Sequence, residues 1–261
     1  MSRGAPLKAF FAANTALCRK LEPHLPQKRE DAAEIYHDAA ARALGALNGP
    51  AVVVDAGGGR HTELVRHRPE HSDIRIVAVD ISPDELGANV DADETRVADI
   101  TERIPFDDAS VDVIASQAVL EHLPNTEAFV AESARVLKAD GVFLCLFSSK
   151  FSPHAVLNRL LPDHLSAGLL HSLVPDSEHR LGFAAYYDRT YPSRVVRMLE
   201  SHGFSVSEVR ISYYQSPYYA FFAPLFALSA LYELAIRALG VVDLGAYAVV
   251  VARRVAPTTQ P

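Results

Sequence analysis

The sequence predicts a doubly wound α/β fold built on a mostly parallel sheet, and three observations carry that prediction. Short β-branched runs, among them Ala51-Val52-Val53-Val54, Ile74-Arg75-Ile76-Val77-Ala78-Val79 and Val111-Asp112-Val113-Ile114-Ala115, alternate with helix-like stretches. The runs are almost continuously apolar, as strands covered by helices on both faces must be. The first run leads straight into Gly57-Gly58-Gly59, the kind of turn that lets backbone amides approach a ligand.

Taken in order, residues 1–48 read as a helical segment. Leu7, Phe10, Phe11, Leu17 and Leu21 recur near helical spacing, Pro23 and Pro26 break the run, and Asp31 to Leu47 resumes it until Asn48-Gly49-Pro50. Residues 49–148 form the core, with strands over 51–54, 74–79, 95–98, 111–115 and 142–147. A helix is expected after the glycine turn and another over 125–138, ended by Ala139-Asp140-Gly141. From 149 to 189 the period is lost: Pro153, Pro162 and Pro175 and the histidines His154, His164, His171 and His179 are scattered through short apolar pieces, which reads as an inserted helical cap. Residues 190–256 return to the core with a helix near Tyr191 to His202, a strand from Phe204 to Ile211 and a last strand from Tyr247 to Ala252. An apolar helical insertion occupies 216–240.

The chain has 261 residues, 49% of them hydrophobic, enough to fill one enlarged core. Its 32 acidic against 25 basic residues repel polyphosphate, and no basic stripe is segregated, so nucleic acid is excluded as a partner. Lys28-Arg29 and Arg253-Arg254 read as solvated pairs. Cys18 and Cys145 stand far apart and form no CxxC pattern, which fits a reducing, cytoplasmic setting. The cap histidines match no ligand spacing, so no metal is expected. The N-terminus reads as an amphipathic helix in preference to a signal peptide.

Three motifs point to a nucleoside-bearing cofactor. Val52-Val53-Val54-Asp55-Ala56-Gly57-Gly58-Gly59 is a strand running into a glycine turn, although a G-x-G-x-x-G fingerprint fails because position 62 is Thr62. Asp80 ends the second strand, where a carboxylate at the carboxyl edge of a parallel sheet accepts from ribose hydroxyls. Asp99-Ile100 then sets a polar acceptor beside an apolar residue, as an adenine ring needs.

These segments resemble the class I S-adenosylmethionine-dependent methyltransferases, in particular the small-molecule group called type 11 methyltransferase domains, over roughly residues 50–150. Val52 to Gly59 is similar to that family's first motif, Val79-Asp80-Ile81 to its acidic strand end, and Val97-Ala98-Asp99-Ile100 to its adenine segment. Ile104 to Ile114 with the following Ser116-Gln117-Ala118-Val119-Leu120-Glu121-His122-Leu123, and then Arg135 to Gly141, complete five motifs in order. The resemblance implies a Rossmann-like, seven-stranded sheet with the last strand antiparallel, and S-adenosylmethionine as cofactor. Asp55, Gly57 and Gly59 would surround its amino-acid part, Asp80 its ribose, Ile81, Asp99 and Ile100 its adenine, and Gln117 its methionine edge. His61 departs from the family by standing where a third glycine is usual.

A methyl on a sulfonium needs no protein nucleophile, but a hydroxyl acceptor needs a base, and histidine has the right intrinsic pKa. His122, shortly after the fourth strand, is the catalytic candidate; the other reading makes it a brace for its loop. His154, His179 and Asp188 come second, with Tyr186 and Tyr187 as acceptor-orienting groups. The Asn-Pro-Pro-Tyr-like tetrad of nucleic-acid amino-methyltransferases is replaced by Ser116-Gln117-Ala118-Val119, so the expected acceptor is a small hydroxyl-bearing molecule.

Ser216 to Tyr232 carries no charge. A membrane crossing is excluded if the strands on either side are antiparallel neighbours, because both ends of the segment then lie on one side of a bilayer. A lid over an apolar substrate, an interfacial membrane contact, a homodimer interface and an ordinary packed helix are the readings of 216–240. The alternatives for the whole chain are a nicotinamide-dependent oxidoreductase and a catalytically silent methyltransferase fold used for binding.

Overall fold

The computed structural model describes residues 5–160 and 184–256. The cap residues 161–183, with His164, His171 and His179, lie outside the described residues. Helix α1 (Ala5–Leu21) and α2 (Ala32–Gly45) are separated by two 3-10 turns at the predicted prolines. Asp31 caps α2 by accepting from the amides of Ala33 and Glu34, which satisfies donors that the first turn leaves open.

The strands are β1 (Ala51–Ala56), β2 (Ile74–Asp80), β3 (Glu94–Val97), β4 (Val111–Gln117), β5 (Leu137–Ser148), β6 (Phe204–Ser212) and β7 (Tyr247–Arg254). They form one seven-stranded sheet in the order β3-β2-β1-β4-β5-β7-β6. The first five strands are parallel, while β7 runs antiparallel to both β5 and β6. This is the predicted Rossmann-like architecture. The direction of winding reverses between β1 and β4, where the chain first winds outward to β2 and β3 and then crosses back, and such a switch point opens a crevice at the carboxyl edge.

Between the strands lie α3 (Pro83–Gly87), α4 (Thr126–Val136), α5 (Pro153–Leu160), α6 (Pro192–Ser201) and α7 (Ala223–Leu239). One apolar cluster joins Val54, Val77, Ile114 and Phe143 to Phe129 of α4 and Met198 of α6. The other joins Val53, Ile76, Val113 and Leu144 to Tyr36 and Leu44 of α2. Alternate residues of each central strand therefore feed opposite layers, which is why those strands read as unbroken apolar runs.

Two expectations are corrected. The helix foreseen after the glycine turn is a single 3-10 turn, Glu63–His67, because the segment to Arg68-Pro69 is too short for more before β2 begins. The helix foreseen over 125–138 stops at Val136, and β5 begins at once: Leu137 pairs with Val111, and Val142 pairs with Val113. A bulge at 138–141 absorbs the extra residues, with Asp140 at φ 62°. Gly141 is required there, since a Cβ would stand 2.9 Å from the Lys138 carbonyl oxygen.

The apolar segment 216–240 becomes a 3-10 turn, Ser216–Tyr219, followed by α7. Its inner face buries Phe226, Ala230 and Ile236. The buried Glu233 on that face is held by four donors: Gln27 Nε2 at 2.9 Å, the Gln215 amide at 3.1 Å, Ser229 Oγ at 3.1 Å and Ser216 Oγ at 3.3 Å. Burying a carboxyl is tolerable only with such partners, so Glu233 pins α7 to the segment before α2 and to the turn after β6. The outer face carries Leu228, Leu231 and Leu239, and beside it α1 exposes Phe10, Leu17 and Leu21. None of the described helices is long and apolar enough to cross a membrane.

Candidate active site

The carboxyl ends of β1 and β4 bring Asp55, Gly57 and Gln117 of the predicted residues to one crevice, while Gly59, Asp80, Ile81, Asp99 and Ile100 are not among its lining residues. A cleft of about 270 Å³ there is lined by Tyr36, Asp55, Gly57, Gly58, His61, Glu63, Leu64, Gln117 and Ala118. A second cleft of about 310 Å³, lined by Val52, Arg75, Arg96, Phe106 and Ser110 among others, includes residues that begin or precede strands, away from those carboxyl ends.

The glycine turn works differently from the sequence expectation. Gly57 and Gly58 amides both donate to the Val79 carbonyl, at 2.7 and 3.3 Å, and the Gly59 amide donates to Asp80 Oδ2 at 3.1 Å. These donors are spent inside the turn, so the glycines serve close packing. Gly57 has φ 76°, and a Cβ on it would stand 2.3 Å from Val119 Cγ2; one on Gly58 would stand 2.9 Å from the Ala78 Cβ. Asn89 locks the far side, donating to the Gly59 carbonyl at 2.8 Å and Thr62 Oγ1 at 3.0 Å.

Asp80 closes β2 and accepts from the amides of Gly59 and, through Oδ1, Ser82 at 2.9 Å. A carboxylate has lone pairs beyond those two contacts, so it can still accept from a ligand diol. Ile81 beside it is 57% exposed, an apolar face open to a ring. Asp99 Oδ1 accepts from the amide and the hydroxyl of Thr101, at 2.8 and 2.6 Å, which fixes the turn after β3. Ile100 is buried in the core cluster and so acts as floor beneath that turn. Gln117 ends β4 at the cleft, and Ala118 takes φ 56° next to it.

Asp55 is buried at the end of β1. Burial pushes its carboxyl up to about 7, and the nearby Asp80 and Glu63 carboxylates add to the rise while a hydrogen bond with Thr62 opposes it. A cationic group entering the cleft would restore its full charge. Tyr36, Asn89 and Glu63 complete the crevice and were not singled out from the sequence. Tyr36 had only its place in an apolar helical period as a signal, and Asn89 had none.

His122 lies in the 3-10 turn Leu120–His122 after β4, and its Nδ1 is 3.1 Å from the Ala184 carbonyl oxygen. The amides of Tyr186 and Tyr187 donate to the Glu121 carbonyl at 2.9 and 3.0 Å, so this turn holds the end of the cap down by three hydrogen bonds. Asp188 joins in by accepting from the Thr126 amide. Glu121 itself is buried; its Oε1 accepts from the Ser148 amide at 3.3 Å, and its Oε2 finds no partner among the described residues.

A seven-stranded sheet of this order, with a cleft at the β1/β4 switch point and an acidic end on β2, has the layout in which open α/β sheets bind ligands. Residues 53–145 match the family model described as "Methyltransferase domain". A probable S-adenosylmethionine-dependent methyltransferase of Mycobacterium tuberculosis, from two strains, is 33% identical over 141 residues. That match takes in 47% of this chain and 50% of the relative, so the chain spans about half the length of the curated relatives it matches. Among solved structures, the geranyl diphosphate C-methyltransferase of Streptomyces coelicolor A3(2) is similar in fold at a TM-score of 0.56 and 14% identity, over 85% of this chain and 79% of that one. The [4+2]-cyclase SpnF gives 0.53 at 15% identity, over 85% and 81%.

The residues present fit the cofactor of that domain. A carboxylate with free lone pairs (Asp80), an exposed apolar face (Ile81), two glycines packed too tightly for a Cβ (Gly57 and Gly58) and a buried carboxyl (Asp55) lie at the carboxyl edge of the sheet.

Proposed function

We propose that the chain transfers a methyl group from S-adenosylmethionine to a hydroxyl of a small, partly apolar acceptor. The observation that carries the donor half is the carboxyl edge of the sheet, where Asp80, Ile81 and the glycine turn stand together. Asp80 would hold the ribose hydroxyls, Ile81 and Asp99 would flank the adenine, and Asp55, Gly57, Gly59 and Gln117 would surround the methionine part. When bound, that cofactor supplies a methyl on a sulfonium, a leaving group already in place, so positioning supplies most of the rate.

The acceptor side rests on what surrounds the β4 and β5 ends. Polar and aromatic side chains, Glu121, Ser148, His154 and Tyr187, lie buried there, which suits a hydroxyl on an otherwise apolar body. The ridge of Leu228, Leu231 and Leu239 with Phe10 and Leu17 supports the same apolar preference, as a surface on which a lipid-like acceptor or its membrane can rest.

Calorimetric titration with S-adenosylmethionine, S-adenosylhomocysteine, NADH and NADPH tests the reading. Micromolar binding of the two sulfur compounds alone is the expected result. Binding of a nicotinamide cofactor would replace it with an oxidoreductase, and binding of none would leave a silent fold.

A further inference from the structure

At the end of β5, one side-chain cluster has the form of a proton relay. Ser148 Oγ is 2.7 Å from His154 Nε2, and His154 Nδ1 is 2.9 Å from Gln215 Oε1. The tautomer follows from the surroundings. The His154 amide also donates to Gln215 Oε1, at 3.4 Å, so that atom is an acceptor and Nδ1 carries the ring proton. Nε2 is then an acceptor. Ser152 Oγ, 3.4 Å away, gives its proton to the Ser149 carbonyl at 2.8 Å, which leaves Ser148 as the donor to Nε2. The chain therefore runs Ser148 O–H to His154 Nε2, and His154 Nδ1–H to Gln215: a hydroxyl, a base and a group that orients the base.

The setting favours proton transfer. His154 is 7% exposed and packs against the rings of Tyr218, at 5.3 Å and 6°, and Tyr247, at 5.2 Å and 27°. The two phenols meet at 2.5 Å. Burial lowers the imidazole below its usual range, so it stands neutral and able to accept at neutral pH. Two buried polar atoms of the cluster, Gln215 Nε2 and Glu121 Oε2, have no partner among the described residues, as expected of groups that await one. The location is right as well. Ser148 follows Leu146, the residue that pairs with Gln117 across β4 and β5, and its amide donates to Glu121, four residues beyond Gln117.

We propose that Ser148, His154 and Gln215 form the proton-accepting wall of the acceptor site, and that the acceptor is an alcohol or phenol whose hydroxyl docks on Ser148 Oγ. The proposal rests on the methyltransferase reading above and gives the base role to His154, with His122 as the brace of the cap. As the acceptor oxygen bonds to the methyl carbon, the C–S electron pair returns to sulfur. The acceptor proton passes to Ser148 Oγ while the Ser148 proton passes to His154 Nε2, and the imidazolium then releases it to solvent. Ser148 ends as it began. Gln215, whose side-chain oxygen contacts His154 and not the reacting atoms, is a positioning residue.

The test uses the full chain, tritiated S-adenosylmethionine and two matched probes, 4-octylphenol and 4-octylaniline. Methyl transfer to the phenol is expected, with Ser148→Ala and His154→Asn each lowering kcat by about 10²-fold. Both should bind S-adenosylhomocysteine within twofold of the parent by calorimetry, which also shows that they fold. Gln215→Glu places a carboxylate against the imidazole, so the acidic limb of the kcat/KM profile should move to higher pH; a merely structural glutamine would leave the limb in place. Nitrogen-15 NMR supplies a readout without turnover: His154 Nε2 should be unprotonated in the parent at neutral pH, and its resonance should shift in Ser148→Ala. A protein that binds S-adenosylhomocysteine yet methylates only the aniline, or neither probe, would overturn the relay. So would unchanged kcat in Ser148→Ala and His154→Asn. Failure to bind S-adenosylhomocysteine would remove the methyltransferase reading and the relay with it.

Discussion

Replacing Glu121 by glutamine should stabilise the protein above neutral pH and leave it unchanged in acid. Glu121 is buried between the β4 turn and the end of β5, with one hydrogen bond from the Ser148 amide and an unpartnered second oxygen. Burial pushes its carboxyl from the ordinary 4.5 up to about 7, against the pull of hydrogen bonds from backbone amides, its own and that of Ser148. Between those values the folded chain keeps a proton that the unfolded chain has lost, so the stability contributed by this group falls as pH rises through the window. Above pH 7 the burden is complete. Moving a carboxyl over that interval weighs about 3 kcal/mol at 1.36 kcal/mol for each pH unit. Glutamine keeps the shape and the acceptor for Ser148, and it never ionises. Urea denaturation at pH 4.5 should therefore give equal stabilities, and at pH 8 an advantage for Glu121→Gln approaching about 3 kcal/mol, or roughly 6–12 °C in Tm for a chain of this size. Equal stability at pH 8, or a gain of the same size at both pH values, would refute the claim that this carboxyl is buried at a cost.

Three further outcomes are expected at the crevice. Asp80→Ala should weaken S-adenosylhomocysteine binding by about 1–3 kcal/mol in calorimetry with the circular dichroism spectrum retained; unchanged affinity would remove Asp80 from the ribose. Gly57→Ala should cost about 2–4 kcal/mol in denaturation, because alanine must adopt φ 76° and its Cβ overlaps Val119. Adding Val119→Ala should recover the overlap but leave the backbone strain, and full recovery would show that strain to be absent. His122→Ala should speed amide exchange at 184–187 while S-adenosylhomocysteine affinity stays constant, since the lost contact is to the Ala184 carbonyl; exchange rates equal to the parent's would deny His122 its bracing role.

Much of the candidate cofactor side was legible because its signals are local. A strand, a glycine turn and an acidic strand end are each written in fewer than ten consecutive residues, and parallel topology carries every one of them to the same sheet edge. Asp55, Asp80 and Gln117 are placed by that rule alone. Asn89 and Tyr36 were not legible, since their roles come from contacts made across long stretches of chain. Ile100 shows the reverse: its neighbour Asp99 made it look like a surface for adenine, but packing against the core turned it inward.

The sequence by itself determined the strands and their alternation with helical stretches, because buried strand periodicity and turn chemistry are short-range properties. Only the tertiary structure shows which partners each histidine meets. His122 and His154 are both histidines near strand ends. One is drawn to a cap carbonyl, and the other packs against Tyr218 and Tyr247 and is aligned by Gln215, 61 residues away. The apolar run 216–240 was likewise undecided until Glu233 met Gln27, a partner 206 residues distant, which fixed the inner face of α7 and left Leu228 and Leu231 outside. Long-range pairing of this kind leaves no periodic trace in a single chain, because its energy resides in partners the local sequence does not contain.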